Sequence, residues 1–357
     1  MRDQSSILHI TENADTIFRK LRWGDSVHCP YCGHTHIYTY KDGSYKCSHC
    51  HKHFSDKSNT IFHASHLTKA QWLIALYLMM QTKGVSSIEL SNLLGITQKS
   101  AWLALSKLRY MFDQSDVILE GQEIAVDECY LGQNSSGMHL AKRQSLIAKY
   151  NLPTKPKNKE ERQAVLNAIN AREKQPVYGM NDGNKIVLLA LPNPFSARLI
   201  REQFMRHSTP SDAFEEPKYM VSDCGNEYYD WTNQTGWLHS TNNHSKGKFV
   251  SDDGRSSNRI EGNFRWIESK RSYVNVHYSH RLTQLYLNEV AFRHNHRNDS
   301  IEHKLEEAFK CIHCRFDKED LKDYDPIKKF NSRKKHKDFG HIVSLLKNGL
   351  IEEIKDG

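Results

Sequence analysis

EIAVDECY, residues 123–130, is where the pattern of the chain changes. Before Gly121 the apolar residues recur every three or four positions, as on helices; here they alternate, as on a strand. The change continues downstream. PVYGMND (176–182) and KIVLLALP (185–192) read as a hairpin around Gly183, and KYMVSD (218–223) as another short strand, with the helix-like SARLIREQFM (196–205) between the last two. Asp127 and Asp223 thus stand at or near the ends of strands, where a sheet can bring them together. Glu128 follows Asp127 and on a strand points to the opposite face, which leaves it out of a shared site.

A third carboxylate comes 38 residues after Asp223, in NRIEGNFRWIESKRSY (258–273). This stretch reads as a helix, and a helix packed on the sheet can direct Glu261 at the two aspartates. Three hard oxygen donors suit Mg²⁺ or Mn²⁺, which keep open positions for water and phosphate oxygens. Two such ions activate an attacking oxygen and stabilise a leaving one in phosphoryl transfer. Spacing alone leaves the plainer alternative open, because carboxylates are common and any three can be grouped.

Upstream, residues 67–112 are helical in pattern, with Trp72, Leu73, Ala75, Leu76, Leu78 and Met79 at three- and four-residue spacing and Gly84 as the stop. In SSIELSNLLGITQKSAWLALSKLRYMF (86–112), Ile88, Leu90, Leu93 and Leu94 define a short helix, Gly95 the turn, and Thr97 the N-cap of a second helix. The pair predicts a helix-turn-helix whose second helix enters a major groove with Gln98, Lys99, Ser100 and Trp102 near its start; an ordinary helical hairpin is the alternative.

Further upstream, HCPYCGHTHIYTYKDGSYKCSHCHKHF (28–54) holds two CxxC pairs, Cys29/Cys32 and Cys47/Cys50, separated by fourteen residues. Four thiolates in two such turns can meet around one tetrahedral Zn²⁺, and Asp42-Gly43 signals a turn between two short Tyr-rich runs. The segment predicts a zinc ribbon whose metal is structural, because a full thiolate set leaves no position for a water nucleophile. So short a segment has few apolar residues to bury, and metal binding supplies much of its folding free energy.

The remaining segments are less specific. Residues 141–175 are too long for a hairpin loop and predict a mobile basic insertion with a short helix over 161–172, which can touch DNA backbone through Lys142, Arg143, Lys155 and Lys157 or serve as a solvated linker. AFKCIHCRF (308–316) adds a CxxC at Cys311 and Cys314 near His303 and His313; with no second pair following, the default is a helix bearing two cysteines a turn apart. KKFNSRKKHKDFGH (328–341) is basic and precedes a last amphipathic stretch, HIVSLLKNGLIEEI (341–354).

Bulk properties agree with this division. The 357 residues carry 50 Lys+Arg against 42 Asp+Glu, a net charge of +8, and 21 histidines, which favours a polyanionic partner. Six of the eight cysteines lie in CxxC pairs, leaving Cys129 and Cys224 alone, which argues for metal or redox roles over disulfides. No apolar run approaches a membrane span and the first residues lack a signal-peptide core, so a soluble cytoplasmic protein is expected. The expected fold is multidomain α+β: an N-terminal region with the ribbon (1–60), a helical DNA-binding domain (61–118), an α/β core (119–298) with a basic insertion at about 133–175, and a helical basic tail (299–357).

The ordered set RWGDSVHCPYCG, YKCSHCHKHFS, SNTIFHASHLTKAQWLIALYLM, VDECYLG, VSDCGNEYYD, NRIEGNF and LNEVAFRHNHR resembles bacterial insertion-sequence transposases with an amino-terminal zinc ribbon, a helix-turn-helix and an ISXO-like DDE core of RNase H-like fold. The resemblance covers about residues 17–297. It implies DNA transposition, with two catalytic Mg²⁺ or Mn²⁺ ions, the first Asp in the VDE motif at Asp127, the second at Asp223, and the third ligand in the N-x-I-E-G element, at Glu261 or, as some relatives have it, Asn258. Two departures stand out. Relatives place His-Thr where this chain has Ser256 and Ser257, and the basic residue expected two turns after the Glu is Glu268, which shares a helical face with Glu261 and is a further candidate ligand. Lys270 and Arg271 follow as basic candidates for DNA contact.

The reading that results is a DDE-type transposase. The ribbon and helix-turn-helix recognise terminal inverted repeats, the carboxylates catalyse cleavage by water and then joining by the freed 3′-hydroxyl, and the chain works as a dimer or larger assembly on element and target DNA. The alternatives are a non-catalytic DNA-binding regulator derived from a transposase and a nuclease that cuts without joining.

Overall fold

The computed structural model describes residues 4–81, 83–132, 135–209, 217–223, 228, 231, 235–242, 250–251, 253–273, 282–314 and 316, and of residues 4 and 268–273 the backbone alone. The chain divides into two units, residues 1–316 and 317–357. The second unit, with the basic stretch 328–341 and the last amphipathic stretch, lies outside the described residues, as does Cys224. The first unit is mixed α/β, and no helix among the described residues is long and apolar enough to cross a membrane.

Two helices that the sequence reading did not foresee open the chain, α1 (Gln4–Glu12) and α2 (Ala14–Trp23). They are followed by three short antiparallel strands, β1 (Ile37–Thr39), β2 (Tyr45–Cys47) and β3 (His53–Phe54). The expected turn joins β1 and β2: Asp42 Oδ1 accepts from Ser44 N at 2.9 Å, and Gly43 takes φ 78°, a left-handed conformation that suits glycine. Trp23, Tyr45 and Phe54 form the small core beneath this sheet. Asp56 binds the parts together. Its buried carboxylate accepts from Trp23 Nε1 (2.6 Å) and Tyr45 OH (3.1 Å) and pairs with Lys69 Nζ (2.5 Å) on α3 (Lys69–Met80).

A capping box between Thr68 and Gln71 starts α3, which is buried from Trp72 to Met80 and stops there, before the expected stop at Gly84. Ser86 caps α4 (Ser87–Leu94), Gly95 follows in the left-handed conformation (φ 64°, ψ 31°), and Thr97 caps α5 (Gln98–Met111) through Ser100 N. These are the helix, glycine turn and cap that the sequence signals.

The strand that begins at the change of pattern, β4 (Glu123–Leu131), is the middle of a five-stranded mixed sheet. Its neighbour on one side is β5 (Gln175–Asn181), antiparallel and joined through the Gly183 hairpin to the edge strand β6 (Ile186–Ala190). On the other side lie β7 (Tyr219–Asp223) and then β8 (Leu238–Asn242), both parallel to β4, which gives the order β6-β5-β4-β7-β8. β8 carries the polar sequence LHSTN and had no strand signal. One sheet face buries Ile124, Val126, Tyr178 and Met220 with Ile200 and Phe204 of α8 (Ala197–His207). The other buries Ala125, Val177 and Leu188 against α9 (Asn258–Tyr273) and α10 (Thr283–Asn295).

The edge strand β6 does not expose its outer backbone groups. Ile186 N donates to Asn295 Oδ1 (2.7 Å), Leu188 N to Gln114 Oε1 (2.8 Å) and Ala190 N to Gln284 Oε1 (2.8 Å), while Asn295 and Gln114 donate back to the carbonyls of Ile186 and Leu188. Side-chain amides thus complete the ladder as a further strand would, and the edge cannot recruit another chain. Below it, Arg109 of α5 is locked to Glu289 of α10 by a buried ion pair of 2.7 Å.

Two expectations need correction. The insertion is not a loop with one helix: α6 (Leu140–Lys149) and α7 (Lys159–Glu173) share a small core of Met138, Leu146, Val165 and Ile169. Cys311 and Cys314 are not borne on a helix either. The helix α11 (Ile301–Lys310) ends before them, Cys311 is its C-cap residue, and the Cys314 thiol donates to the Cys311 carbonyl at 3.7 Å.

Candidate active site and metal centre

The parallel pairing of β4 and β7 runs through Glu123↔Tyr219, Ile124↔Met220 and Ala125↔Val221. Two residues further along each strand come Asp127 and Asp223. A period of two puts each on the face of the Ala125–Val221 pair, toward α9, at matching positions by the carboxyl end of β7. Glu261 lies in the first turn of α9, which packs on β4 and β5 through Ile260, Phe264 and Ile267. The three carboxylates, separated by 96 and 38 residues of chain, are near enough to act on one another. Burial first, and then the negative charges of Asp223 and Glu261, push the Asp127 carboxyl up to about 7, against the pull of the Glu128 N–H that donates to it at 2.8 Å.

What lets α9 come so close is a glycine. Gly179 of β5 stands directly across from Asp127, and a Cβ there would lie 2.6 Å from Ile260 Cδ1 and 2.8 Å from Phe264 Cζ. Glycine inside a strand is itself a signal of close approach, and it could have been read from PVYGMND. The approach is fixed at both ends. Arg259 pairs with Glu123 at the start of β4, and Asn263 accepts from Asn181 Nδ2 at 2.6 Å while its own amide meets His294 Nδ1 of α10 at 3.2 Å. Burial, with Arg297 nearby, lowers the His294 pKa to about 4, so the ring is neutral in this network.

The other candidates are placed as follows. Asn258 is exposed at the start of α9, one turn before Glu261 on the same side. Glu268, Lys270 and Arg271 fall on the same helix, but their side chains lie outside what is described. Glu128 points to the opposite sheet face, as expected, where the Tyr228 hydroxyl donates to it at 2.5 Å.

Gln98, Lys99 and Ser100 are exposed at the start of α5, and Trp102 is half-buried. Gln98 Nε2 donates to Ser87 Oγ of α4 at 3.2 Å, and Ser100 Oγ lies 2.9 Å from Thr97 Oγ1, so two of these polar groups already serve the turn. Lys142 is exposed on α6, whereas Arg143 donates to the carbonyls of Ser136 and Met138 and holds the start of that helix.

The four ribbon cysteines form a compact set. Cys29 and Cys50 Sγ are 3.6 Å apart, as are Cys32 and Cys47 Sγ, and all four sulfurs lie within 4.8 Å of one another. A tetrahedron with Zn–S bonds of ~2.3 Å has sulfurs ~3.8 Å apart, so the set fits zinc. The N–H groups of His49 and Cys50 point at Cys47 Sγ (3.4 and 3.5 Å), a cradle that stabilises thiolate.

Comparison with known proteins covers both regions. Residues 11–53 match the transposase zinc-ribbon domain, and residues 118–295 the ISXO2-like transposase domain. An uncharacterized protein in transposable element ISH50 of Halobacterium salinarum is 25% identical over 130 residues, which is 35% of this chain. The aligned part spans 43% of that relative's length. No solved structure matches the chain.

Proposed function

Since the chain belongs to the insertion-sequence transposases that combine a zinc ribbon with an ISXO2-like transposase domain, we propose that it cleaves DNA strands at the ends of its element and joins them to target DNA. In this reading the five-stranded sheet is an RNase H-like DDE core, and α4 and α5 form a helix-turn-helix. The observation that carries the proposal is that Asp127 and Asp223 stand at matching positions on adjacent parallel strands, with Glu261 in the first turn of α9 near enough for its charge to act on Asp127. Ligand and catalytic sites of open α/β sheets lie beyond the carboxyl ends of such strands.

Asp127, Asp223 and Glu261 would hold Mg²⁺ or Mn²⁺. The ions supply activation of the attacking oxygen and neutralisation of the leaving one. The residues themselves suit such ions, because a buried Asp127 carboxyl that lies near the charges of Asp223 and Glu261 is relieved by a cation, and the oxygen donors are hard. Glu261 is the preferred third ligand because its charge reaches Asp127; Asn258 and Glu268 compete with it. The four cysteines would hold one structural zinc. Lys99 on α5 and Lys142 on α6, both exposed, are suited to DNA backbone. Two element ends must be held together, which calls for a dimer or larger assembly.

The test is a divalent-metal-dependent cleavage and strand-transfer assay on DNA carrying the element's own ends. Wild type should give joined products; Asp223→Ala and Glu261→Ala should give none while still binding the ends. Loss with Asn258→Ala but not with Glu261→Ala would move the third ligand. Tight binding by wild type without cleavage under either metal would overturn the catalytic reading in favour of a DNA-binding regulator.

A further inference from the structure

The small sheet of the ribbon has two unlike faces. Inward it presents Ile37, Tyr45, Cys47 and Phe54, which meet the core around Trp23. Outward, the pairing Tyr38↔Lys46 and Lys46↔His53 lays a tyrosine, a lysine and a histidine in one row across the strands. His36 and Tyr40 flank Tyr38 on the same side, because residues two apart on a strand share a face. Tyr38 and Tyr40 are 52% and 43% exposed. Their rings are not loose: Tyr38 lies 5.3 Å from the His36 ring, and Tyr40 stacks on His53 at 5.7 Å with 21° between planes. The inward residues already make the core, so these outer rings do nothing evident for folding.

The charge of the ribbon is one-sided. Residues 28–54 hold Lys41, Lys46 and Lys52 against Asp42 as the one carboxylate, and Asp42 is engaged by the Ser44 N–H and hydroxyl in the turn. Cations with no opposing acid suit a polyanion, and exposed, pre-oriented aromatic planes suit the flat faces of bases. In a duplex those faces are stacked inside the helix; in an unpaired strand they are available. We propose that the outer face of the ribbon sheet, centred on Tyr38, Tyr40 and Lys46, binds unpaired DNA by stacking bases on the two tyrosines while Lys46 meets the backbone. The inference rests on the proposed function for the origin of the strand, since a cut at an element end makes a strand terminus that can separate from its complement. The binding itself needs no catalysis.

Fluorescence anisotropy on the zinc-loaded full chain tests it, with labelled oligo(dT) of about 12 nucleotides, a length within the usual site sizes, and a duplex of equal length as probes. Tyr38→Ala/Tyr40→Ala should weaken oligo(dT) binding by about tenfold or more, because each stacked base contributes substantially, and leave duplex binding at the wild-type level. Tyr38→Phe/Tyr40→Phe should keep oligo(dT) binding, since stacking needs the ring and not the hydroxyl. Lys46→Ala should reduce the salt dependence by about 0.7 in slope, one phosphate contact on a single strand. The binding is measured without added Mg²⁺ or Mn²⁺, so it does not depend on cleavage, which separates this inference from the catalytic one. Unchanged oligo(dT) affinity in the double alanine variant, at full zinc content, would overturn the proposal; so would an equal loss on duplex, which would make the face a duplex-backbone contact.

Discussion

Gly179→Ala tests the geometry of the candidate site directly. The added Cβ would sit 2.6 and 2.9 Å from Ile260 Cδ1 and Cγ1 and 2.8 Å from Phe264 Cζ. Carbon atoms in contact prefer about 3.5–4.0 Å, so α9 or its side chains must retreat by about 1 Å. Overpacking of this kind costs about 1–3 kcal/mol, and the loss of glycine's freedom in the unfolded chain returns about 0.4–1, which leaves a net loss of about 0–2.6 kcal/mol. The larger effect falls on chemistry. Glu261 follows Ile260, and a displacement of about 1 Å at a reacting group can lower the rate about 100-fold. Ile260→Val removes the atom of closest approach at a cost of about 0.5–1.5 kcal/mol alone. The double variant should then be more stable than the two single losses predict and should regain part of the cleavage rate. Thermal melting and metal-dependent cleavage, measured on all four proteins, complete the cycle. Wild-type cleavage by Gly179→Ala would refute the claim that the approach of α9 to β5 sets the position of Glu261.

Asp127→Asn should change how stability depends on pH in the absence of metal. The native carboxyl, raised to about 7 chiefly by burial, keeps a proton that the unfolded chain releases near ~3.9, so stability is greatest below that value and falls as pH rises toward 7. Melting temperatures across this range should decline in wild type and stay flatter in the variant; parallel profiles would contradict the assignment. Cys47→Ser should lower bound zinc below one per chain and open residues 28–54 to protease, as metal analysis and limited proteolysis would report, because the cysteines and Trp23 share one small core. Glu289→Ala should destabilise by about 3–5 kcal/mol in urea unfolding, since it leaves the buried Arg109 guanidinium without its carboxylate and weakens the hold on Arg293.

The parts of this protein that were legible from sequence are those with local signals. CxxC spacing announced the thiol cluster, Thr97 and Gly95 marked the cap and turn between α4 and α5, alternation marked β4, and the Gly183 turn marked the hairpin of β5 and β6. The strand β8 was illegible because LHSTN has no apolar alternation; pairing with β7 makes it a strand. The helices α1 and α2 were missed because their apolar residues answer to partners far away in the chain, as Phe18 does to Phe62 and Phe309. The site was half legible. Asp223 does end its strand, but Asp127 lies in the middle of β4, which runs on to Leu131 because it pairs with β5 over its whole second half, and the two-residue match beyond Ala125↔Val221 depends on register, which pattern alone does not provide.

The adjacent carboxylates Asp127 and Glu128 show why register decides chemistry. They differ by one position on β4, and the pleat sends them to opposite faces. Glu128 enters the face of Tyr178, Tyr228 and Trp231, where the Tyr228 hydroxyl donates to it. Tyr228 comes five residues after Asp223, and this bond ties it to β4 from behind the candidate site. Asp127 enters the face of α9, where its near neighbours include two more carboxylates and its proton is held more tightly. The same functional group is thus a structural acceptor on one side of the strand and a candidate cation ligand on the other. A slip of one residue between β4 and β7 would exchange those roles, and the buried apolar residues that alternate with the two carboxylates, Ile124 and Val126 on one face and Ala125 on the other, oppose that slip.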